Sequence, residues 1–250
     1  MVQIKNSEQL ASMRKAGRIT GEAILVAREH IKEGVSTKEL DKLIRNYIEK
    51  CGAKPSFLGY GGFPGSACIS INNEVIHGIP SAKRFLQEGD IVKIDVGAYI
   101  GGFHGDSANT FGVGKISEEA EKLIAVTRES FFRGVKMAAK GKRIGDIGSE
   151  ISGYAESFGY GVVRKFVGHG LGQELHEDPE VPNFGTAGRG ARLYPGMTIA
   201  IEPMINIGTR EVKILNDGWT VVTADGSLSA HYEHSVAITD GEPILLTYVE

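Results

Sequence analysis

Ile94-Asp95-Val96-Gly97-Ala98-Tyr99-Ile100-Gly101-Gly102-Phe103-His104-Gly105-Asp106-Ser107 holds two carboxylates in a glycine-rich, apolar setting. With Ile91 and Val92 ahead of it, the stretch reads as a strand whose period of two sets Asp95 on the face opposite Val92, Ile94 and Val96. The acid then looks toward a site or solvent, away from a helix-covered core. Gly101, Gly102 and Gly105 suit a tight hairpin that returns Asp106 beside Asp95 on the neighbouring strand. At about 4 Å and an effective dielectric near 20, two such carboxylates repel by roughly 4 kcal/mol, so they must share a proton or hold a cation.

The chain has 250 residues, 41% hydrophobic and 24% charged, enough for one large core, and is read as a single domain over 1–250. A net charge of -3, with Lys and Arg spread thinly, offers no basic face, so no direct nucleic-acid binding is expected. Cys51 and Cys68 are too few for a disulfide framework and read as thiols of a reducing compartment. Met1-Val-Gln-Ile-Lys-Asn-Ser lacks the apolar centre of a signal peptide, and no uncharged apolar run reaches about 18 residues. A cytoplasmic protein without membrane attachment is the expectation.

Outward from the central stretch, the chain repeats itself. Asn6 with Gln9 opens a first helix and Ser36 with Glu39 a second, whose stripe Leu40, Leu43, Ile44, Tyr47, Ile48 and Cys51 ends at Gly52. Residues 55–66 form a Gly/Pro-rich loop dotted with aromatics, followed by a strand over Ala67–Ile71. After the hairpin, Ser117 opens a helix to about Lys140, and another carries Ile144, Ile147, Ile151, Ala155 and Phe158 up to Gly159. Gly34 and Gly141, Leu40 and Ile147, Ile44 and Ile151, Gly52 and Gly159, Gly89 and Gly196, Ile94 and Ile201, and Asp95 and Glu202 all stand 107 residues apart. His104-Gly-Asp106-Ser107 has a counterpart in His231-Tyr-Glu233-His234-Ser235 at an offset of 127. Two halves, roughly 1–115 and 116–250, imply an α+β domain with pseudo-twofold symmetry, helices covering one sheet face and acids facing the other.

Glu202 alternates against Ile199 and Ile201 as Asp95 does against Val92 and Ile94, so four acids converge on one face. Val162 to Val167 reads as a strand leading into Gly168-His169-Gly-Leu-Gly-Gln-Glu-Leu-His176. Four carboxylates and one neutral imidazole balance two divalent cations, which favours a two-metal site over a shared proton. A metal pair brings the pKa of a bridging water toward about 7, and hydrolysis is the natural chemistry. His104, His231 and His234 flank these ligands and are read as supporting or packing residues, and Trp219 alone would pass for core.

Taken in order, Asp95, Asp106, His169, Glu202 and Glu233, with His77 in Ile76-His-Gly-Ile-Pro and with His176, resemble the type I methionine aminopeptidases in their short bacterial form, over essentially the whole chain. The resemblance implies the duplicated pita-bread fold, an antiparallel sheet with helices on its outer face and a dinuclear metal site on its inner face. It implies removal of the initiator methionine from nascent or short peptides with a small second residue, by attack of a metal-bridging hydroxide on the peptide carbonyl. Asp106 and Glu233 would bridge the metals, Asp95 complete one, and His169 with Glu202 the other. Glu202 would also shuttle the proton, His176 stabilise the oxyanion and His77 contact the scissile amide.

By the same resemblance the methionine pocket comprises Phe57, Tyr60, Phe63, Cys68, Leu175 and Trp219, a lining suited to a thioether. Phe57 stands where a smaller residue is common and Leu175 where Phe is common. The divalent ions would be cobalt, manganese, iron or zinc, with one monovalent cation, sodium or potassium, near Asn72, Glu74 and Ser229. The partners would be nascent polypeptide N-termini, near the ribosome, and the protein a monomer. The competing readings are a proline-directed peptidase on the same fold and a non-catalytic peptide- or ribosome-binding module.

Overall fold

The computed structural model describes residues 2–249. Helices α1 (Ser7–Arg28) and α2 (Thr37–Lys50) come first, each opened by the expected capping box, Asn6 with Gln9 and Ser36 with Glu39. Strands β1 (Lys54–Pro55), β2 (Ala67–Ile71) and β3 (Glu74–Ile76) lead to the long hairpin of β4 (Ile91–Ile100) and β5 (Phe103–Gly112). The order then recurs with α3 (Glu118–Lys136), capped by the Ser117 hydroxyl, and α4 (Ile144–Glu156). Strands β6 (Gly161–Val162), β7 (Gly168–Gly170), β8 (Glu177–Val181), β9 (Thr198–Ile201) and β10 (Met204–Asn206) follow. The chain closes with β11 (Val212–Ile214), β12 (Val221–Thr223), β13 (Ser229–His231), β14 (Glu233–Ala237) and β15 (Ile244–Leu245).

Two expected elements come out shorter. The third helix stops at Lys136 rather than Lys140, because Ala138 turns inward to full burial in the second core. Of the expected Val162–Val167 strand only Val162 pairs in a ladder, together with Gly161 ahead of it. Val163 still bonds the Met204 carbonyl, but Arg164 and Lys165 are both exposed, and two adjacent charges cannot hold an alternation in which every second side chain is buried.

The duplication is visible in the backbone. Gly34 and Gly141 have φ of 82° and 84°, and Gly89 and Gly196 have 90° and 88°, left-handed values that only glycine adopts freely. Isolated bridges join Ser36 to Phe85 and Arg143 to Arg192, again 107 residues apart. The main sheet runs β1-β4-β5-β14-β9-β7-β8, with β2 also on β4 and β15 on β14. The pseudo-twofold therefore passes between β5 and β14, which pair through Glu233 with Ala108 and His234 with Ser107.

Each half packs its own helices on the outer face. Ala23, Ile24, Leu40, Ile44 and Ile48 of α1 and α2 cover Ile69, Val92, Ile94 and Val96. Phe131, Ile144, Ile147 and Ile151 of α3 and α4 cover Ile199, Ile201 and Val236. The helix α1 approaches closely because a Cβ at Gly105 would stand 2.7 Å from the Gly17 backbone. Ile44→Ala and Ile151→Ala each delete a fully buried side chain, so each should lower the unfolding free energy by about 2–5 kcal/mol. Because the two lie in separate clusters, the double variant should lose their sum to within about 0.5 kcal/mol, read by urea unfolding.

Candidate metal centre

Backbone register assembles the acids. In the β4–β5 hairpin Asp95 faces Ala108, and Asp106 faces Gly97, so the two acids sit diagonally on one face rather than side by side. Ala108 in turn faces Glu233 across the pseudo-twofold, and continuing the β14–β9 ladder one step past His234 and Ile201 sets Glu202 beside Glu233. The result is a row Asp95, Ala108, Glu233, Glu202 across four strands, with Asp106 one step along from Ala108. Ala108 adds little bulk within the row, and the missing side chain at Gly97 lets Ser56 and Phe57 close in beside it, where a Cβ would stand 2.7 Å from Ser56 and 2.8 Å from Phe57. His169, on β7, reaches in from the flank.

Asp106, His169 and Glu233 offer ligand atoms all within 4.8 Å of one another. The His169 Nε2 lies 3.6 Å from Glu202 Oε1 and 3.8 Å from Asp106 Oδ2. Its Nδ1 is 2.8 Å from the Gly170 carbonyl, which can only accept, so Nδ1 carries the proton and Nε2 turns a lone pair toward two carboxylates. Burial holds that imidazole neutral, down to about 3. A lone pair facing carboxylate oxygens is repulsive unless a cation lies between them.

The acids carry the same signature. Buried Asp95 Oδ1, Asp106 Oδ1 and Glu233 Oε1 have no hydrogen-bond partner. Burial raises Asp95 to about 7. Burial first and the neighbouring acids second raise Asp106, Glu202 and Glu233 well above the carboxylate range. Orphaned oxygens around an open imidazole nitrogen fit a divalent cation better than a chain of shared protons, for which no carboxyl–carboxyl hydrogen bond is present among the described residues. Asp95 stands outside the three-residue cluster yet borders the same cavity, as a ligand of a second ion would.

That cavity, about 650 Å³ with its open mouth, brings together the thirteen residues expected for the metal centre, the catalytic histidines and the methionine pocket. Phe57, Phe63, Cys68 and Leu175 form its buried apolar wall. Trp219 packs edge-on against Phe63 at 5.1 Å, so it lines the pocket rather than the core. Tyr60 stands at the rim with its hydroxyl 2.7 Å from His176 Nδ1. His77 follows β3 in a left-handed conformation, φ 60°, which a non-glycine residue adopts only at a cost of order 1–3 kcal/mol. Burial lowers His77 to about 4 and lowers His176 as well.

Two further neighbours border the acids: His231, which the sequence marks as a supporting or packing residue, and Lys93, which the sequence reasoning passed over. His231 is fully buried with Nε2 3.8 Å from Glu202 and 3.9 Å from Glu233, closer to the acids than a packing residue need be. Lys93, on the same face of β4 as Asp95, is 1% exposed and donates from Nζ to the Asn72 carbonyl at 2.7 Å and the Ser229 carbonyl at 3.0 Å. The expected monovalent cation near Asn72, Glu74 and Ser229 therefore does not fit, because an amine already holds two of those oxygens. A lysine two residues before Asp95 in an alternating strand was the available signal.

The sequence pattern of metallopeptidase family M24 matches residues 11–240. A methionine aminopeptidase of Clostridium acetobutylicum is 57% identical over 250 residues, covering both chains in full. The crystal structure of the methionine aminopeptidase of Thermotoga maritima superposes with a TM-score of 0.98 at 43% identity, again over the whole of both chains. The prolidase of Pyrococcus furiosus matches with a TM-score of 0.79 at 27% identity, over 99% of this chain and 66% of that one.

Without a metal, Asp95 keeps its proton up to about 7, whereas an unfolded chain releases it near 4. The metal-free fold then loses stability as pH climbs through that window, and inside it an ion must displace the Asp95 proton. Adding Mn²⁺ to chelated protein should raise the thermal midpoint little near about pH 5 and progressively more through about pH 7, measured by differential scanning calorimetry.

Proposed function

Because the chain belongs to metallopeptidase family M24, among its methionine aminopeptidases, we propose that this cavity holds two divalent ions and frees an N-terminal methionine from peptides with a small second residue. The protein is a metal-dependent hydrolase on the pita-bread fold. The observation that carries the finer reading is the row of buried acids meeting the open His169 nitrogen directly beside an apolar, aromatic wall. Glu233 within that row and Asp106 one step off it would each contribute to holding both ions. Asp95 would complete one, and His169 with Glu202 the other. Such ions polarise a carbonyl and acidify a water molecule. Manganese, iron, cobalt and zinc all suit this donor set.

The chain's own residues supply the rest. A thioether side chain fills the wall of Phe57, Phe63, Cys68, Leu175 and Trp219. With the Tyr60 hydroxyl, 2.7 Å away, donating to His176 Nδ1, the imidazole would keep its proton on Nε2. That proton is then free to donate to the scissile carbonyl as negative charge develops. Glu202, raised well above the carboxylate range, is suited to take a proton from the attacking water and pass it to the leaving amine. His77 sits opposite, held neutral for a hydrogen bond to the scissile amide.

Among the described residues no helix is long and apolar enough to cross a membrane. A cytoplasmic monomer acting on nascent chains near the ribosome is the setting that agrees with the reading. His169→Ala should abolish methionine release from a Met-Ala-type peptide in Mn²⁺ or Co²⁺. Full turnover in that variant, or preference for an Ala-Pro substrate, would overturn the assignment. His176→Ala should lower kcat about 10²–10³-fold, with a smaller change in KM. Tyr60→Phe should cost about tenfold or less by releasing the tautomer. Steady-state kinetics on the same peptide measures both.

A further inference from the structure

Lys93 is among the largest fully buried side chains of the protein, although it carries an amine. Its two acceptors come from separate segments. Asn72 lies in the turn between β2 and β3, at φ 52°, and its side chain is bound to Asp90 at 2.8 Å and to the Ile91 N–H at 3.0 Å. Ser229 begins β13, and its N–H donates to the same Asn72 carbonyl at 3.1 Å. Three pieces of backbone thus meet at one nitrogen: β4, which carries Asp95 two residues on, the turn before His77, and the strand that leads through His231 to Glu233.

Converging carbonyl oxygens are the ordinary donor set for a hard cation, and here they close on Nζ. Burial lowers this amine to about 7 while Glu74 and Asp90 oppose the shift. Either protonation state has enough N–H bonds for both oxygens. We propose that Lys93 takes the place of a bound sodium or potassium ion, fixing the backbone that positions Asp95 and Glu233, so that this peptidase works without an alkali cation. Lys93 touches no substrate and acts through the strands that it ties, as a positioning residue. The activity half of the proposal rests on the peptidase reading. The structural half does not.

The experiment compares wild type with Lys93→Ser and Lys93→Asn, whose shorter side chains leave the carbonyls open. Each Mn²⁺-loaded protein is measured in choline chloride and after exchange to KCl or NaCl at constant ionic strength. The wild-type thermal midpoint and kcat should not change between salts. The variants should melt lower and lose about tenfold or more in kcat in choline, and either alkali salt should restore most of both. A wild-type midpoint that rises in KCl would overturn the proposal, and this arm needs no variant to fold. Variants that keep wild-type kcat in choline, or that stay impaired in every salt, would overturn it too. If no peptide is cleaved by any form, the peptidase reading fails while the midpoints still decide the role of Lys93.

Discussion

The structure depends on one electrostatic constraint. Four carboxylates crowd together, three of them, Asp95, Asp106 and Glu233, with buried oxygens that no donor reaches, and at an effective dielectric near 20 each close pair costs roughly 4 kcal/mol unless positive charge is supplied. A surface cluster would relax by swinging apart. These acids cannot, because each is fixed by the register of a β-ladder whose opposite face is sealed by a helix-covered core. The sheet functions as a rigid frame that keeps repelling groups together, and such a frame makes a strong cation site.

Duplication explains how a modest chain builds the frame. Each half contributes two strands with one acid on or directly after each, and the pseudo-twofold brings β5 against β14 so that the pairs meet. The chemistry is nearly symmetric, but the substrate pocket is not. The second half is longer between its two acids by twenty residues, as the offsets of 107 and 127 require. That extra chain includes the β11–β12 hairpin, which carries Trp219 in its connection. Strand β12 pairs with β3 immediately before His77, so the segment that breaks the symmetry is the one that walls the pocket.

Most of this was legible in the sequence for physical reasons. Capping boxes, positive-φ glycines and a period-two strand are local signals, and the repeat made them non-local by showing which acids correspond. Arg164 and Lys165 should have cautioned against a strand over Val162–Val167, since apolar content alone does not give a ladder. The diagonal placement of Asp95 and Asp106 depends on whether the turn holds two residues or more, and glycine count does not report that. Lys93 escaped because a lysine in a strand is ordinarily read as solvent-facing. Its burial follows only from the packing of β13 across the turn at Asn72, a contact that no local pattern encodes.

The two helix-covered cores are separate clusters, and the row of acids lies where β5 and β14 join the halves. An ion held between Asp106 and Glu233 would therefore fasten one half of the molecule to the other, as a keystone does the two sides of an arch. Its departure would do more than silence the chemistry: it would leave like charges pressing the halves apart along their shared edge, and the two would no longer be bound to melt as one.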